Sequence, residues 1–470
     1  MATVRSAKSS SPTDLGSPLL RYRLALGLAF LVIFIISYYS IDPDFGWHLA
    51  SGNYFISFGL PARDIFSYTA SSFAWINHEW LNDVIIASLY SLGGYALVAC
   101  FFTIIWVAAL YIASRLRLTL ILLFATFALL PFVGIRPVAW SLLFVAILEL
   151  IHEKANSKIY LTVPFIMLIW ANLHGSFVFG LLLITLWQIF SDKRMPWAIF
   201  IASLLAVFLN PYGWRIFIEV FSTITDSSLK FRISEWAPVM MPALPLSYLI
   251  LFTAFHFLFS KKPWRETLSI PGLTLAMALS SIRHTPIFIV TTIRYFEAYQ
   301  VQLVRILNRS KPAAKPRFLL FGFFAIFVVG VSILVVLRLR SATDSPTNYP
   351  QKAVSYIAKN PCTGNIFNSY DFGGYLIWQL PEYRYYIDGR MPSWKTANND
   401  YFENYIKTIT NDEFRRAEFA KYNVSCVLLT PADNTGGKSR YVRLGDQLTR
   451  EGWQPIPSAS TADYFLYTKP

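Results

Sequence analysis

Two aspartates and a histidine lie close together just after the first apolar segment of the chain. Asp42-Pro43-Asp44 ends that segment, and His48 follows one helical turn later. A carboxylate in such a group could act as general base on a hydroxyl, or hold a divalent cation such as Mg²⁺ or Mn²⁺. An aspartate is equally suited to be the N-cap of a following helix. The pattern of residues alone leaves the N-cap and the reactive site equally open.

Two arginines in short polar segments could recognise a phosphate. Arg136-Pro137 and Arg283-His284 each lie between two apolar runs. Guanidinium groups bind phosphate and pyrophosphate through paired hydrogen bonds, so these arginines could stabilise a leaving group beside Asp42 and Asp44. The structural alternative is an arginine that extends its charge to the membrane surface, with proline in the first turn of a helix.

Other polar residues occur in similar segments. Asn172 and His174 precede a glycine that permits close approach and could complete one wall of a site, although a lone histidine at a helix end is more often structural. Asp388-Gly389-Arg390 follows a predicted strand, where small α/β domains tend to place sites, but a turn with an Asp–Arg pair is the favoured interpretation. The remaining candidates for substrate binding are His78, Glu79 and Glu235.

The composition of the chain indicates a membrane protein. Of its 470 residues, 55% are apolar and 14% are charged, against about 25% charged in soluble proteins. This composition excludes a disordered chain and argues against a cytosolic enzyme. The net charge of +14 is concentrated in residues 1–340, which carry +13 of it. In so apolar a segment, that excess indicates basic loops on the cytoplasmic side of a membrane rather than nucleic-acid binding.

The apolar runs predict eleven membrane spans. With the N-terminus inside, eighteen lysines and arginines fall on the inner side and eight on the outer side, which agrees with the usual positive-inside bias. The odd number of spans puts the C-terminal region outside and brings the polar candidates of the membrane region to the outer face. The predicted spans are 23–40, 94–113, 118–133, 138–151, 159–171, 176–190, 196–209, 246–259, 267–282, 287–304 and 317–338.

The predicted domains follow from this topology. They are a disordered cytoplasmic N-terminus (1–20), a transmembrane domain (21–340) with a first outer loop (41–93), and an extracytoplasmic α/β domain (341–470). Amphipathic segments at 46–58, 79–91 and 211–240 should lie in the plane of the interface.

The pattern of the C-terminal domain predicts helices and strands in alternation. Cys362 and Cys426 could form a disulfide there, but their spacing does not decide it. Helices are expected at 351–359 and 412–422, and strands at 364–369, 384–387, 424–430 and 464–468.

The residues of the first outer loop resemble those of a known superfamily. Asp42-Pro-Asp44-Phe-Gly-Trp-His48-Leu, followed by Gly59-Leu-Pro61-Ala-Arg-Asp64-Ile-Phe-Ser67, is similar to the first outer loop of the GT-C membrane glycosyltransferases. These enzymes take a sugar from a polyprenyl-phosphate carrier on the non-cytoplasmic face. The resemblance covers the topology of most of the chain, but specific motifs only in residues 41–81.

Further motifs resemble a bacterial branch of the superfamily. They are Arg136-Pro137, Trp170-Ala-Asn-Leu-His-Gly175, Asn210-Pro-Tyr-Gly213, Tyr370-Asp-Phe-Gly-Gly-Tyr375 and Ile387-Asp-Gly-Arg390. The chain departs from the superfamily in two respects, because it has no second Asp-X-Asp in a later outer loop and no Trp-Trp-Asp acceptor motif. The first departure argues against a metal-dependent oligosaccharyltransferase mode, and the second leaves the acceptor open.

The resemblance implies a function and roles for the residues. Asp44 or Asp42 would activate the acceptor hydroxyl, and the arginines with His284 would steady the lipid-phosphate leaving group. The implied partners are a polyprenyl-phosphate-linked sugar, a glycan, lipid or protein acceptor, and the lipids of the plasma (inner) membrane, with no nucleic acid.

The alternative is a non-enzymatic membrane protein that shares the fold, either a transporter of lipid-linked substrates or an assembly subunit. A transporter needs polar groups at mid-depth or on both faces. The apolar segments contain few ionisable residues, which favours the transferase.

Overall fold

The structure is a computed structural model that describes residues 18–115, 117, 119–238, 243–260, 269–309, 349–431, 433 and 444–469. Its N-terminal part is a bundle of apolar helices. They are α1 (Pro18–Tyr39), α2 (Phe45–Phe58), α3 (Trp80–Ala113), α4 (Leu120–Leu129), α5 (Val138–Lys154), α6 (Ser157–Tyr160), α7 (Val163–Leu173), α8 (Phe177–Phe190), α9 (Trp197–Ala206), α10 (Arg215–Thr225), α11 (Leu229–Arg232), α12 (Ala243–Phe259), α13 (Ile270–Ser280) and α14 (Thr285–Arg309).

The helices follow the predicted apolar segments with differences at their ends. The predicted helix 79–91 and span 94–113 join into α3, which is interrupted at Gly93-Gly94, where Gly94 has a φ of 64°. Such a positive φ is accessible to glycine at little cost. Helix α1 begins at Pro18, so the N-terminal segment expected to be disordered ends earlier than residue 20, and residues 1–17 lie outside the described residues.

The structure does not confirm the number of spans. Within the described ranges, α3 is the one helix long and apolar enough to cross a membrane, and the other apolar helices are shorter. At 1.5 Å per residue, a ten-residue helix such as α9 covers about half of a bilayer core. The predicted span 317–338 lies outside the described residues, so the number eleven stays a prediction.

The core of the bundle forms around α3, which packs against α1, α2 and α5. Its buried Trp106 donates an indole hydrogen bond of 3.0 Å to the carbonyl of Gly134, in the turn before α5. Helix α5 begins at Val138, directly after Pro137. A proline suits this position because its missing N–H would have no partner in the helix. These contacts fix the turn that carries Arg136.

The C-terminal region is an α/β domain, as predicted. Strand β4 (Val424–Leu429) is buried along its length and pairs in parallel with β1 (Asn365–Asn368) and antiparallel with β6 (Phe465–Thr468). Strand β5 (Gln454–Pro455) continues the sheet in the order β1-β4-β6-β5. Its elements are α15 (Gln351–Lys359), β1 (Asn365–Asn368), α16 (Gly373–Gln379), β2 (Lys395–Thr396), β3 (Asn399–Asp400), α17 (Tyr401–Thr410), α18 (Asp412–Lys421), β4 (Val424–Leu429), α19 (Leu444–Arg450), β5 (Gln454–Pro455) and β6 (Phe465–Thr468).

The α/β domain differs from the prediction in one segment, and it shows that its two cysteines pair. The segment 384–387 is not a strand, and Tyr385 forms only isolated bridges to Ser67 and Ile366. The residue pattern resembles a strand because the segment is buried between the domain and the first outer loop. Cys362 and Cys426 form a disulfide that ties β4 to the segment before β1.

The α/β domain packs directly on the first outer loop. Helix α16 lies against α2, and Trp47 of α2 is buried with Phe372 and Tyr375 of the domain. A side chain at Gly374 would place its Cβ 2.1 Å from the carbonyl oxygen of Pro43, so this contact requires glycine. The packing brings Gly389 and Arg390 beside Asp44 and Trp47.

Candidate functional site

A cavity of about 400 Å³ opens between the helix bundle, the first outer loop and the α/β domain. Pockets of this size hold small molecules or part of a larger ligand. Ten of the candidate residues line it, and they come from segments far apart in the chain. They are Asp42, Asp44, His48, His78, Glu79, Arg136, His174, Glu235, Arg283 and Arg390.

One side of the cavity is formed by Asp42, Asp44, Arg136 and Glu235, which we call the acidic side. The guanidinium of Arg136 pairs with Asp42 and donates a 2.8 Å hydrogen bond to Glu235. Asp42 also accepts the backbone N–H of Asp44 at 2.9 Å. Arg136, a candidate for phosphate binding, is therefore already paired with two carboxylates in this structure.

Asp44 precedes helix α2, but its side chain makes no capping hydrogen bond. Instead its Oδ1 accepts the indole N–H of Trp47 at 2.9 Å. Burial, followed by the charge of Asp42, raises the pKa of Asp44 to about 6, against the opposing effects of His48 and Trp47. Asp44 is thus mainly ionised at neutral pH and more basic than an ordinary aspartate.

A second group of cavity residues consists of Glu79 and the three histidines His48, His78 and His174, which we call the histidine wall. The carboxylate oxygens of Glu79 lie 3.3 Å from Nε2 of His174 and 3.8 Å from Nε2 of both His48 and His78. Asn77 accepts the backbone N–H of Glu79 at 2.8 Å. This bond holds the residue at the start of α3, so its side chain points at the rings.

The histidines differ in their second partners. His48 Nδ1 lies 2.5 Å from Asp83, whereas His174 Nδ1 lies 2.6 Å from the hydroxyl oxygen of Ser141 and 2.7 Å from that of Ser176. These contacts fix the orientation of two imidazole rings.

Burial affects the protonation of these groups in different ways. Burial alone would lower the pKa of His48, but Asp83 and Glu79 raise it to about 9. Burial, with the charge of Arg283, lowers the pKa of His78 to about 4. Burial raises the pKa of Glu79 to about 7, against the opposing charge of His48. At neutral pH His48 is therefore an imidazolium, His78 is a neutral imidazole, and Glu79 is partly protonated.

Arg283 lies at the mouth of the histidine wall. Its guanidinium stacks on the ring of Trp236, 5.1 Å from the centroid, and its charge acts on Glu79, His78 and His174. Among the described residues no carboxylate lies within ion-pair distance of it. Arg283 thus differs from Arg136, because its charge is open to a ligand.

Three candidate residues, Asn172, His284 and Asp388, do not line the cavity, and their side chains are engaged elsewhere. Asn172 joins helices, since it accepts the indole N–H of Trp80 and donates to the carbonyls of Leu168 and Leu209. His284 contacts the carbonyl of Met277 through Nδ1 at 3.1 Å. In both cases the polar side chain satisfies the backbone or another helix.

Asp388 is the third, because it is fully buried and its carboxylate binds Arg390. Arg390 in turn pairs with Asp64 at 2.8 Å, and its guanidinium lies over the rings of Trp75 and Trp394. The favoured alternative from the sequence, a turn with an Asp–Arg pair, therefore describes this segment.

The sequence reasoning missed several residues of the site. Asp83 was absent from the candidates although it lies one helical turn after Glu79, a spacing that could have been noticed. Glu219 of α10 lines the cavity, and burial raises its pKa to about 7. Ser141 and Ser176, the partners of His174, carry no signal in the sequence.

A Mg²⁺ or Mn²⁺ ion at Asp42 and Asp44, which the sequence left open, does not fit these contacts. Asp42 is engaged by Arg136 and by a backbone N–H, and Asp44 by an indole N–H. Within the described ranges, no three histidine, cysteine or acidic side chains are grouped so as to hold a metal ion.

No family model and no curated protein matches the sequence. Comparison with solved structures does give matches. The chain is similar to the oligosaccharyltransferase of Archaeoglobus fulgidus tethered with an acceptor peptide that contains the NVT sequon, with a TM-score of 0.58 and 11% identity over 96% of this chain and 74% of that one. For the apo form the TM-score is 0.54, with 12% identity over 88% and 70%.

A third match is the oligosaccharyltransferase AglB of the same organism in complex with an inhibitory peptide and a dolichol-phosphate. Its TM-score is 0.57, with 12% identity over 97% of this chain and 75% of that one. At such identities the likeness concerns the fold. The resemblance inferred from the first outer loop is confirmed at that level: the chain has the fold of these oligosaccharyltransferase structures.

Proposed function

We propose that the chain is an integral-membrane glycosyltransferase that moves a sugar from a polyprenyl-phosphate carrier to an acceptor hydroxyl at the outer face of the plasma (inner) membrane. The observation that carries the proposal is the cavity, which is lined both by a carboxylate of raised pKa and by an arginine that has no carboxylate within ion-pair distance among the described residues. Transfer of a glycosyl group needs both a base for the acceptor and charge stabilisation for the leaving phosphate. A lipid carrier also agrees with the dolichol-phosphate bound to the structural neighbour AglB.

Asp44 is the proposed general base. Of the two aspartates, Asp42 is neutralised by Arg136, whereas Asp44 faces the cavity with a raised pKa. The acceptor hydroxyl gives its proton to Asp44 as its oxygen attacks the anomeric carbon. The bond from that carbon to the phosphate oxygen breaks, and the oxygen keeps the electron pair. Asp42 and Arg136 position Asp44 through the backbone N–H that Asp42 accepts.

Arg283 is the proposed ligand of the leaving phosphate. Its side chain is held on Trp236 and carries a charge without a carboxylate partner in the described part of the chain. A charge-assisted contact of this kind stabilises the phosphate most as negative charge develops on it. The acceptor, whether glycan, lipid or protein, would enter from the side of Asp44.

An orientation with the cavity and the α/β domain outside fits two features. The positive-inside bias of the lysines and arginines supports it, and the domain holds a disulfide, which persists in oxidising compartments. A transporter or an assembly subunit with this fold would not need a carboxylate of raised pKa and an arginine without a carboxylate partner in one cavity.

The test is sugar transfer from a polyprenyl-phosphate donor by the purified protein in liposomes. Asp44→Asn should lower transfer by about 100-fold or more, since amide nitrogen accepts no proton. Asp42→Asn should also abolish most transfer because Arg136 and Asp44 lose their common partner. Glu382→Gln, at an exposed position of the α/β domain, is the control. Full transfer by both aspartate variants would refute the assignment of Asp44 as general base. Movement of the lipid-linked donor across the bilayer without sugar transfer would favour a transporter.

A further inference from the structure

Glu79 is the one group of the cavity on which three imidazole rings converge. His48, His78 and His174 approach it through Nε2, at 3.8, 3.8 and 3.3 Å. The three rings come from α2, from the segment before α3 and from the end of α7. Packing alone does not require three imidazole rings around one carboxyl group. The proposed role of Asp44 as general base does not involve this arrangement.

The partners of His174 define what its Nε2 offers to Glu79. Ser141 accepts the indole N–H of Trp170 at 3.1 Å, so its oxygen is an acceptor near His174 Nδ1. If Nδ1 carries the proton and donates it to a serine oxygen, Nε2 has a lone pair directed at Glu79. This tautomer suits a protonated carboxyl group, because the carboxyl O–H then has an acceptor.

The position of Arg283 relates Glu79 to the leaving phosphate. The charge of Arg283 acts on Glu79, His78 and His174, and also on Glu235. A phosphate held by Arg283 would therefore lie beside the histidine wall, within reach of Glu79.

We propose that Glu79 is the general acid that protonates the leaving phosphate, with His174 and His48 as positioning residues. The inference rests on the proposed function. It makes the cavity a site with two carboxyl groups of opposite roles, in which Asp44 receives a proton and Glu79 gives one.

The protons and electrons of this step balance. As the bond from the anomeric carbon to the phosphate oxygen breaks, its electron pair stays on that oxygen, and the proton of the Glu79 carboxyl group moves to the phosphate. The products are the glycosylated acceptor and polyprenyl hydrogen phosphate, with Asp44 protonated and Glu79 ionised. A proton passing from Asp44 to Glu79 through the solvent-open cavity restores the starting state.

The charged surroundings of Glu79 support a proton donor. The groups that face it are Asp44, which precedes α2, His48 of α2, Asp83 from its own helix, His78, His174 and Arg283. Burial outweighs the charges of His48 and Arg283 and raises the pKa of Glu79 to about 7, while that of Asp44 is raised to about 6. A carboxyl group that keeps its proton beside one that is ionised is the usual arrangement for acid and base at one site.

The experiment is the pH dependence of transfer in liposomes at saturating acceptor. Transfer by the wild type should rise through about pH 6 as Asp44 ionises, and fall through about pH 7 as Glu79 loses its proton. Glu79→Gln should lower transfer by about 100-fold and remove the fall at high pH, while the rise at low pH remains. Binding of polyprenyl phosphate to this variant should persist, because Arg283 is unchanged.

Glu219→Gln is the matched control, since Glu219 lines the same cavity and has a pKa raised to about 7 without facing the histidines. Its profile should keep the fall at high pH. The inference is overturned if the wild type shows no fall above pH 7, a measurement that needs no folded variant, or if Glu79→Gln keeps it. If the wild type transfers no sugar at any pH, the result contradicts the proposed function itself.

Discussion

Asp42 and Asp44 are two residues apart, yet their carboxylates have different environments. Asp42 is paired with Arg136, whereas Asp44 accepts only an indole hydrogen bond and faces the cavity. The same division applies to the two arginines. Arg136 is paired with carboxylates, whereas Arg283 has no carboxylate within ion-pair distance among the described residues. Charge compensation, rather than residue type, decides which aspartate can act as base and which arginine can bind phosphate.

Neighbouring residues at the mouth of the histidine wall provide a matched pair of variants. Arg283→Gln should raise the KM for the polyprenyl-phosphate donor by about 10- to 100-fold, since a hydrogen bond to a charged group contributes about 1.5–3 kcal/mol. His284→Gln should leave KM nearly unchanged, because His284 contacts the carbonyl of Met277 and not the cavity. Initial rates over a range of donor concentrations measure both. Equal effects of the two substitutions would contradict the phosphate assignment.

At the scale of elements, helix α2 of the first outer loop and the N-terminal turns of α3 position most of the reactive groups. Helix α2 starts just after Asp44 and carries His48, and α3 starts just after Glu79 and carries Asp83. Helix α16 of the α/β domain closes over α2, where Gly374 meets the carbonyl of Pro43. Because Pro43 lies between the two aspartates, this packing bears directly on their geometry.

Substitution of this glycine tests the packing of α16 on α2. Gly374→Ala would place a Cβ about 2.1 Å from the Pro43 oxygen, so we expect a loss of about 1–3 kcal/mol and reduced transfer. Thermal unfolding in detergent measures the first effect. The control is Gly27→Ala in α1, where no atom lies within 4 Å and alanine is the better helix former. A Gly374→Ala protein as stable as the control would show that the two helices do not pack this closely.

At the scale of the whole molecule, the α/β domain is a wall of the cavity and not a separate appendage. Arg390 of the domain pairs with Asp64 of the first outer loop and with Asp388, and its side chain is 3% exposed. Breaking a buried pair leaves an uncompensated charge and costs about 3–5 kcal/mol. This contact joins regions that are more than 300 residues apart in the chain.

Arg390→Ala should therefore lower the free energy of unfolding by about 3–5 kcal/mol, because Asp64 and Asp388 stay buried without their cation. Urea unfolding in detergent, followed by tryptophan fluorescence, measures the change. Arg416→Ala removes an arginine of the same domain whose side chain is 64% exposed, and should change stability by less than about 0.5 kcal/mol. Similar losses for both variants would mean that Arg390 does not link the two regions.

The sequence by itself determined the features that depend on local pattern. The apolar runs predict the helices, the motif from Asp42 to Ser67 indicates the superfamily, and the balanced charge of residues 341–470 marks the α/β domain. The sequence also predicts that most cavity residues lie near one another, because the predicted topology puts the polar ends of successive spans at one membrane face.

Only the tertiary structure decided which of these groups face one another. Arg136 and Asp42 are 94 residues apart, and the three histidines reach Glu79 from separate elements. Asn172, His284 and Asp388 have the same residue types as true lining residues, but their side chains are used by neighbouring backbone or side chains. Ion pairing and burial act through space, so residue type and spacing along the chain could not reveal them.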